Sequence, residues 1–290
     1  MRGWALACAL CLAPHPAWAQ GPAVFSSAIE VVRVDVSVTR DGRAGEGLKA
    51  ADFEVRDNGV LQAVEIVGGA DKPIDAVLAL DVSGSVAGPP LQHLKAAAHA
   101  LVDVLRPGDA VSLLTFSDRI RLRVLPADSR ERAHETIDRT EAQLTTALYD
   151  ATYAALTTTD PARGRPLVLI FSDGQDVGSW LAPEQVLRVA EASDLVVHAV
   201  LSRREGTDVA FLRDLVASTG GQQWRADFVE LRDVMLRALE EFRSRYTLQY
   251  ERHGALADGW HKLQVRVKAP GAEVRARRGY WQRTPRPASR

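Results

Sequence analysis

Along residues 30–39 the chain alternates strictly, with Val32, Val34, Val36 and Val38 separated by Arg33, Asp35 and Ser37. Period two predicts a strand with one face buried and the other wet. Two more extended runs, 53–56 and 60–67, flank Asp57-Asn58-Gly59, and Asn-Gly between such runs predicts a hairpin because both residues tolerate positive φ. From about residue 73 to 243 the rhythm changes to strand and helix in turn. Apolar runs predict strands at 74–80, 110–116, 120–125, 167–171, 195–201 and 222–224; helical patterns fall at 91–105, 129–140, 147–157, 183–192, 208–218 and 228–242. The stretches 77–80 and 167–171 are apolar without a break, as in strands covered on both faces. The expected architecture is α/β and doubly wound, with a mostly parallel sheet between helices. After residue 244 the alternation returns, in 246–250, in Leu263, Val265 and Val267, and in 273–277 beyond Pro270-Gly271. Neither terminal β zone is large enough to bury a good core alone. Zones 24–70 and 244–281 are therefore expected to pair as a small β-sandwich into which the α/β unit, 73–243, is inserted. Two separate β appendages packed on that unit are the alternative.

The two ends read differently. Residues 1–19 combine Arg2, an apolar stretch from Trp4 to Ala13 and the small-residue ending Ala17-Trp18-Ala19, which predicts a cleaved secretory signal and a periplasmic or extracellular protein. The apolar part is too short for a permanent membrane span, and Pro14 and Pro16 would break a buried helix. Both cysteines, Cys8 and Cys11, lie inside this segment, so the mature chain is expected to have neither disulfides nor thiolate metal ligands. Leu10, standing where a small residue is wanted, argues against lipidation of Cys11. The basic, proline-containing tail 282–290 has no large apolar residue to bury and is expected to be disordered. With a formal net charge of −1 and no basic stripe, nucleic acid is not an expected partner.

Candidate chemistry gathers where strands end. The run 74–80 stops in Asp81-Val82-Ser83-Gly84-Ser85, which places one carboxylate and two hydroxyls on a short turn. Oxygen donors of that kind suit a hard divalent cation, although any strand-to-helix turn also favours Asp, Ser and Gly. In open α/β sheets ligands collect at the carboxyl ends of the strands. The run 167–171 leads straight into Ser172-Asp173-Gly174, and Leu144-Thr145-Thr146-Ala147-Leu148-Tyr149-Asp150 offers Thr146 just ahead of a helix. Each has a plainer reading: Thr146 as a helix cap, Asp173-Gly174 as a turn, Asp150 as a solvated helix residue.

Taken in order, Asp81-x-Ser83-x-Ser85, Thr146-Ala147-Leu148-Tyr149-Asp150 and Phe171-Ser172-Asp173-Gly174 resemble the metal-ion-dependent adhesion site of von Willebrand factor type A domains. The resemblance covers roughly residues 73–243, and no motif residue is missing. It implies a Rossmann-like fold and a divalent cation, Mg²⁺ with Mn²⁺ or Ca²⁺ as substitutes. Ser83, Ser85 and Thr146 would ligate directly, and Asp81 and Asp173 directly or through water. Two carboxylates and three neutral hydroxyls balance the cation's charge and leave it electrophilic, so that a Glu or Asp from a protein partner can complete its coordination without any bond being broken. A weaker similarity extends outward: Val32–Val67, with Gly47-Leu48, Asp52-Phe53 and Asp57-Asn58-Gly59, together with Gly279-Tyr280, resembles a bacterial exported family of type A-related proteins.

Enzymatic alternatives lack their residues. A haloacid-dehalogenase-type phosphatase needs a second carboxylate two positions after Asp81, where Ser83 stands; neither Ser83 nor Ser85 has a nucleophile-elbow context, and there is no phosphate loop with lysine. No enzyme activity is expected. A structural or assembly role in the cell envelope, with the metal only stabilising the fold, is the other class of reading. His93, His99, His134, His198, His253 and His261 show no ligand-type spacing and are expected on surfaces or helix faces. Trp180 is expected either to rim the site or to anchor its loop by packing; Trp224, Trp260, Tyr280 and Trp281 are expected in packing, and Glu240-Glu241 on a solvated helix face.

Overall fold

The computed structural model describes residues 31–143, 145–202, 210–254 and 258–282. The segment 1–19 expected to be a secretory signal, residues 283–290 of the tail and the start of the helix expected from Asp208 lie outside the described residues. The chain opens with strands β1 (Val31–Arg40), β2 (Arg43–Ala44), β3 (Phe53–Asp57), β4 (Val60–Gln62) and β5 (Glu65–Gly68). A strand and helix succession follows: β6 (Ile74–Asp81), α1 (Pro89–Asp103), β7 (Ala110–Phe116), β8 (Ile120–Val124), α2 (Arg130–Asp138), α3 (Leu148–Thr158), β9 (Arg165–Ser172), α4 (Pro183–Glu191), β10 (Val196–Ser202), α5 (Ala210–Thr219), β11 (Gln223–Ala226) and α6 (Leu231–Arg243). It closes with β12 (Tyr246–Glu251), β13 (Gly259–Val267), β14 (Glu273–Arg275) and β15 (Gly279–Gln282).

The middle strands form one six-stranded sheet, ordered β11-β10-β9-β6-β7-β8. All its pairings are parallel except β7 with the edge strand β8. Every residue of β6, β9 and β10 is buried, as unbroken apolar strands require when helices cover both faces. Period two then sorts their side chains into two cores. Ile74, Ala76, Leu78 and Leu80 pack with α1, α2 and α6, whereas Val77 and Ala79 pack with α3, α4 and α5. Helix starts follow local chemistry: Pro89 and Pro90 open α1, and the Ser129 hydroxyl accepts from Arg132 N–H (3.2 Å) to cap α2.

The two terminal zones are hydrogen-bonded to each other. Strand β1 runs antiparallel to β12, with Val34 opposite Leu248, and β3 runs antiparallel to β13, with Val55 opposite Val265. The result is two antiparallel sheets, β14-β1-β12-β5 with β2 on β1, and β15-β13-β3-β4. Val32, Val34, Val36 and Val38 from one and Phe53, Val55, Leu263 and Tyr280 from the other share a single apolar cluster. The expected strand 60–67 is in fact two, because the chain leaves the β3 hairpin after Gln62 and crosses to pair with β12. Gln62 marks the crossing: its side chain donates to His253 O (3.0 Å) and accepts from His253 N (3.0 Å). Trp260 and Trp281, expected in packing, meet edge to face opposite one another on β13 and β15 while staying half-exposed, and Trp281 Nε1 donates across to Glu191 of α4 (3.3 Å).

Charged residues join these sheets to the α/β layers. Arg165, at the head of β9, donates to Asp35 of β1 (2.7 Å), and Arg277 donates to Asp194 (2.7 Å) and to Arg33 O (2.6 Å). Glu241 is not on a solvated face: it receives Arg245 (2.8 Å) and Arg275 (3.2 Å), and against the upward push of burial His198 first and then Arg245 hold its carboxyl far below the usual range. His198 is likewise no surface residue. Its side chain is wholly buried, its Nδ1 accepts from Gln222 N–H (3.0 Å), and its Nε2 lies 2.8 Å from Glu241. A proton on Nδ1 would face that N–H donor to donor, and burial pushes the imidazole's pKa below its ordinary value in spite of Glu241. The folded chain therefore binds fewer protons here than the unfolded one. Stability is fully present above the unfolded value of about 6.5 and falls as pH drops below it, by at most about 1.4 kcal/mol per pH unit. Thermal unfolding between pH 6.5 and 5 in the native chain and in His198→Asn checks this; equal slopes refute it.

Candidate metal centre

Because β6, β7 and β9 are parallel, the loops after Asp81, Phe116 and Ser172 emerge at the same edge of the sheet. The segment carrying Thr146 is laced into that edge by backbone bonds, Gln143 N–H to Val82 O (2.7 Å) and Ala147 N–H to Ser117 O (2.8 Å). Sequence reasoning named five oxygen donors, and all five fall in these loops. Asp81 (fully buried), Ser83, Thr146 and Asp173 are each less than a tenth exposed, and Ser85 is half-buried.

Asp81 is oriented from two sides. Its Oδ1 accepts from Ser83 N–H (2.9 Å) and its Oδ2 from the Ser172 hydroxyl (2.8 Å). Ser172 in turn accepts from Gly174 N–H (3.0 Å), and Gly174 has a φ of 83°, the left-handed region that glycine enters freely. Ser172 is a site residue that sequence reasoning quoted without giving it a task; its position directly after a buried strand was the available signal. The Ser83 and Ser85 hydroxyls lie 3.1 Å apart, so both point into one space. Burial above all, with the neighbouring negative charge of Asp173, pushes the Asp81 carboxyl up to about 6. Among the described residues no Lys, Arg or His reaches salt-bridge distance of Asp81. A buried carboxylate with a second one near it and the Ser83 and Ser85 hydroxyls together, at the edge where Thr146 also lies, is a donor set that fits a hard divalent cation, which would relieve that charge.

The third loop is built by an unusual cap. Helix α3 has Ala147 as its N-cap, with no capping side chain, and its first N–H groups are satisfied from elsewhere: Tyr149 and Asp150 N–H donate to the Ser179 hydroxyl at 3.0 and 3.1 Å. Asp150 replies, accepting from Trp180 N–H (3.0 Å) and Leu181 N–H (2.9 Å), so it anchors a loop and is not a solvated helix residue. Val177 and Gly178 N–H both bond to Thr146 O at 3.0 Å. Segment 176–181 is thereby clamped beside Thr146, and yet the side chains it presents are apolar and wet: Trp180 is 96% exposed and Val177 74%. Of the two expectations for Trp180, packing as a loop anchor is excluded by that exposure.

Residues 76–175 match the von Willebrand factor type A domain. The matched stretch contains Asp81, Ser83, Ser85, Thr146 and Asp173. Among solved structures, the type A fold seen here is similar to proximal thread matrix protein 1 from the mussel byssus, with 19% identity and a TM-score of 0.56 over 66% of this chain and 51% of that one. Another structure of the mussel protein, described as having a zinc-occupied MIDAS motif, has 19% identity and a TM-score of 0.55 over the same shares. A von Willebrand factor type A protein from Catenulispora acidiphila has 16% identity and a TM-score of 0.52 over 86% of this chain and 73% of that one. The chain thus spans about half the length of the mussel protein. At these identities the likeness is one of fold. No curated protein matches the chain.

Proposed function

We propose that the chain is a divalent-metal-dependent protein-binding module of an exported protein, and that a Glu or Asp of its partner completes the coordination of an ion held by Asp81, Ser83, Ser85, Thr146 and Asp173. The observation carrying this reading is the convergence of those five oxygen donors at one sheet edge, with the Asp81 charge buried and its oxygens oriented by Ser83 and Ser172. The ion supplies Lewis acidity toward the incoming carboxylate; Mg²⁺ fits the all-oxygen donor set, with Mn²⁺ or Ca²⁺ as substitutes. In this reading the residues themselves hold and orient the ion, and the module acts by binding. Trp180 and Val177 supply an apolar rim beside the ion, which suits a partner whose acidic residue is flanked by apolar ones. Among the described residues no helix is long and apolar enough to cross a membrane, which is compatible with export.

The test is capture of the partner in Mg²⁺ followed by EDTA. Release by EDTA, and binding weakened about tenfold or more by Trp180→Ala, are the expected results, since exposed tryptophans that anchor interfaces are worth about 2 kcal/mol or more. Capture indifferent to EDTA would instead favour the second reading, a structural or assembly role. In that case the two antiparallel sheets, acting as one small β-sandwich interrupted by the type A domain, make the contacts and the metal only stabilises the fold. The half-exposed Trp260 and Trp281 pair is the feature that favours it.

A further inference from the structure

The opposite end of the parallel sheet, where β6 and β9 begin, borders a cavity of about 420 Å³, which is within the range of small-molecule sites. The length of β6 sets it about 23 Å from the Asp81 turn, at about 3.3 Å per residue. Residues of β1, of the 67–73 crossing into β6 and of the 161–166 turn into β9 line it together. Its walls are fixed by backbone. Arg165 N–H donates to Pro73 O (2.9 Å), and a Cβ on Gly164 would stand 2.8 Å from that same oxygen, so only glycine lets the turn lie this close. Val67, Pro73, Pro161 and Pro166 supply an apolar wall, and prolines have no rotamer freedom to lose when something packs on them.

Charge counting shows what the lining lacks. Arg165 uses its donors on Asp35 and on the carbonyls of Gly69, Phe242 and Arg243. Arg163 is paired with Asp75 (3.0 Å) and Asp160 (3.3 Å), and Asp194 with Arg277 (2.7 Å). Two cations are left over. Among the described residues the Lys72 ammonium has no partner, and the Arg33 guanidinium has only the uncharged side-chain carbonyl of Gln249, at 3.4 Å. One acceptor is left over as well. The Asp35 side chain is 8% exposed, and its bonds from Arg165 Nε (3.2 Å), Arg165 Nη2 (2.7 Å) and the Thr247 hydroxyl (2.9 Å) all end on Oδ1. Oδ2 receives no donor among the described residues and yet keeps contact with solvent, on the side where Asp35 lines the cavity.

We propose that this cavity binds a small organic acid that also donates a hydrogen bond, an amino acid or hydroxy acid with an apolar side chain. Its carboxylate lies on Arg33 and Lys72, its ammonium or hydroxyl on Asp35 Oδ2, and its side chain against the prolines. Such a molecule carries its two polar groups on neighbouring carbons. Arg33 and Asp35, two apart on β1 and so on one face, stand about 6.6 Å apart along the strand, a spacing that one compact molecule can bridge. An anion with no donor meets the Asp35 carboxylate as like charge to like charge. The bound acid would tie β1 to the starts of β6 and β9, at the end of the sheet away from the metal centre.

The test is calorimetric titration of the full chain with L-leucine in EDTA, which keeps the outcome independent of the Mg²⁺ reading. Saturable binding is expected. Leucinamide, which lacks the carboxylate, and isocaproate, which lacks the ammonium group, are each expected to bind about tenfold more weakly, the effect of losing one hydrogen bond to a charged group. These analogues probe the Asp35 arm without disturbing its pair with Arg165. Arg33→Gln and Lys72→Gln, both at exposed positions, are each expected to weaken leucine binding about tenfold while the native melting temperature is kept. Absence of leucine binding at millimolar concentration, binding indifferent to both variants, or binding of either analogue as tight as that of leucine overturns the proposal.

Discussion

Asp81→Ala or Asp173→Ala is expected to erase the rise in melting temperature that Mg²⁺ gives the native chain. An ion that binds only the folded state stabilises it by RT ln(1 + [L]/Kd), about 2.7 kcal/mol at a hundredfold excess over Kd. For a folded unit of this size that is a shift of roughly 5–10 °C. Each aspartate supplies one of the two negative charges at the site, so losing either leaves the cation over-charged for its donors as well as one ligand short. The metal-free proteins behave differently. Asp81→Ala deprives Ser83 N–H and the Ser172 hydroxyl of their acceptor, a cost of about 1–3 kcal/mol, whereas Asp81→Asn removes the charge, keeps one oxygen to accept from Ser83 N–H and turns an NH2 to the Ser172 hydroxyl, which can accept in its place. Asp81→Asn is therefore the cleaner variant: close to native stability in EDTA, with no gain in Mg²⁺. Differential scanning calorimetry across a Mg²⁺ series decides it, and a native-like gain in either aspartate variant would sink the metal assignment.

How far the site and fold could be read in advance follows the range of the signals. Asp81, Ser83 and Ser85 sit within one turn at the end of an unbroken apolar strand, and Asp173 repeats the arrangement after another, so a local reading finds them. The alternation of Val32 to Val38 is equally local and marks the buried face of β1 correctly. What was misread depends on partners far along the chain. Nothing near Glu241 announces Arg275, and nothing near His198 announces Gln222 N–H, so a helix-face acid and a stray histidine looked solvated until the fold brought those partners to them. Asp150 was missed for the same reason, since the amides it receives are thirty residues away. Strand β4 was joined to β5 because period two continues through a change of sheet, which is a tertiary event with no local signature.

Arg165→Ala is expected to be among the most damaging single changes away from the metal centre. The side chain is 7% exposed and every direction it points is used. Its guanidinium donates to Asp35 of β1 at 2.7 Å, to Gly69 O at 3.2 Å, and to Phe242 O and Arg243 O at 3.1 and 3.2 Å, where it closes the end of α6, and it lies 4.6 Å over the Phe242 ring. One residue thus joins the parallel sheet, the last helix and the antiparallel sheets. Truncation leaves Asp35 buried with the Thr247 hydroxyl (2.9 Å) as its remaining side-chain donor, and breaking a buried pair from one side costs about 3–5 kcal/mol. A fall in melting temperature of roughly 6–20 °C follows. Arg165→Lys keeps the charge but loses the planar fork that reaches Asp35 and two carbonyls together, so it falls between native and alanine. The double variant Arg165→Met with Asp35→Leu removes both charges and fills the space, and recovers most of the loss. If Arg165→Ala melts within a degree or two of the native chain, the contact between the antiparallel sheets and the α/β unit is held by something other than this pair. If the double variant is as unstable as Arg165→Ala, the loss lies in the bonds to α6 and not in the stranded carboxylate.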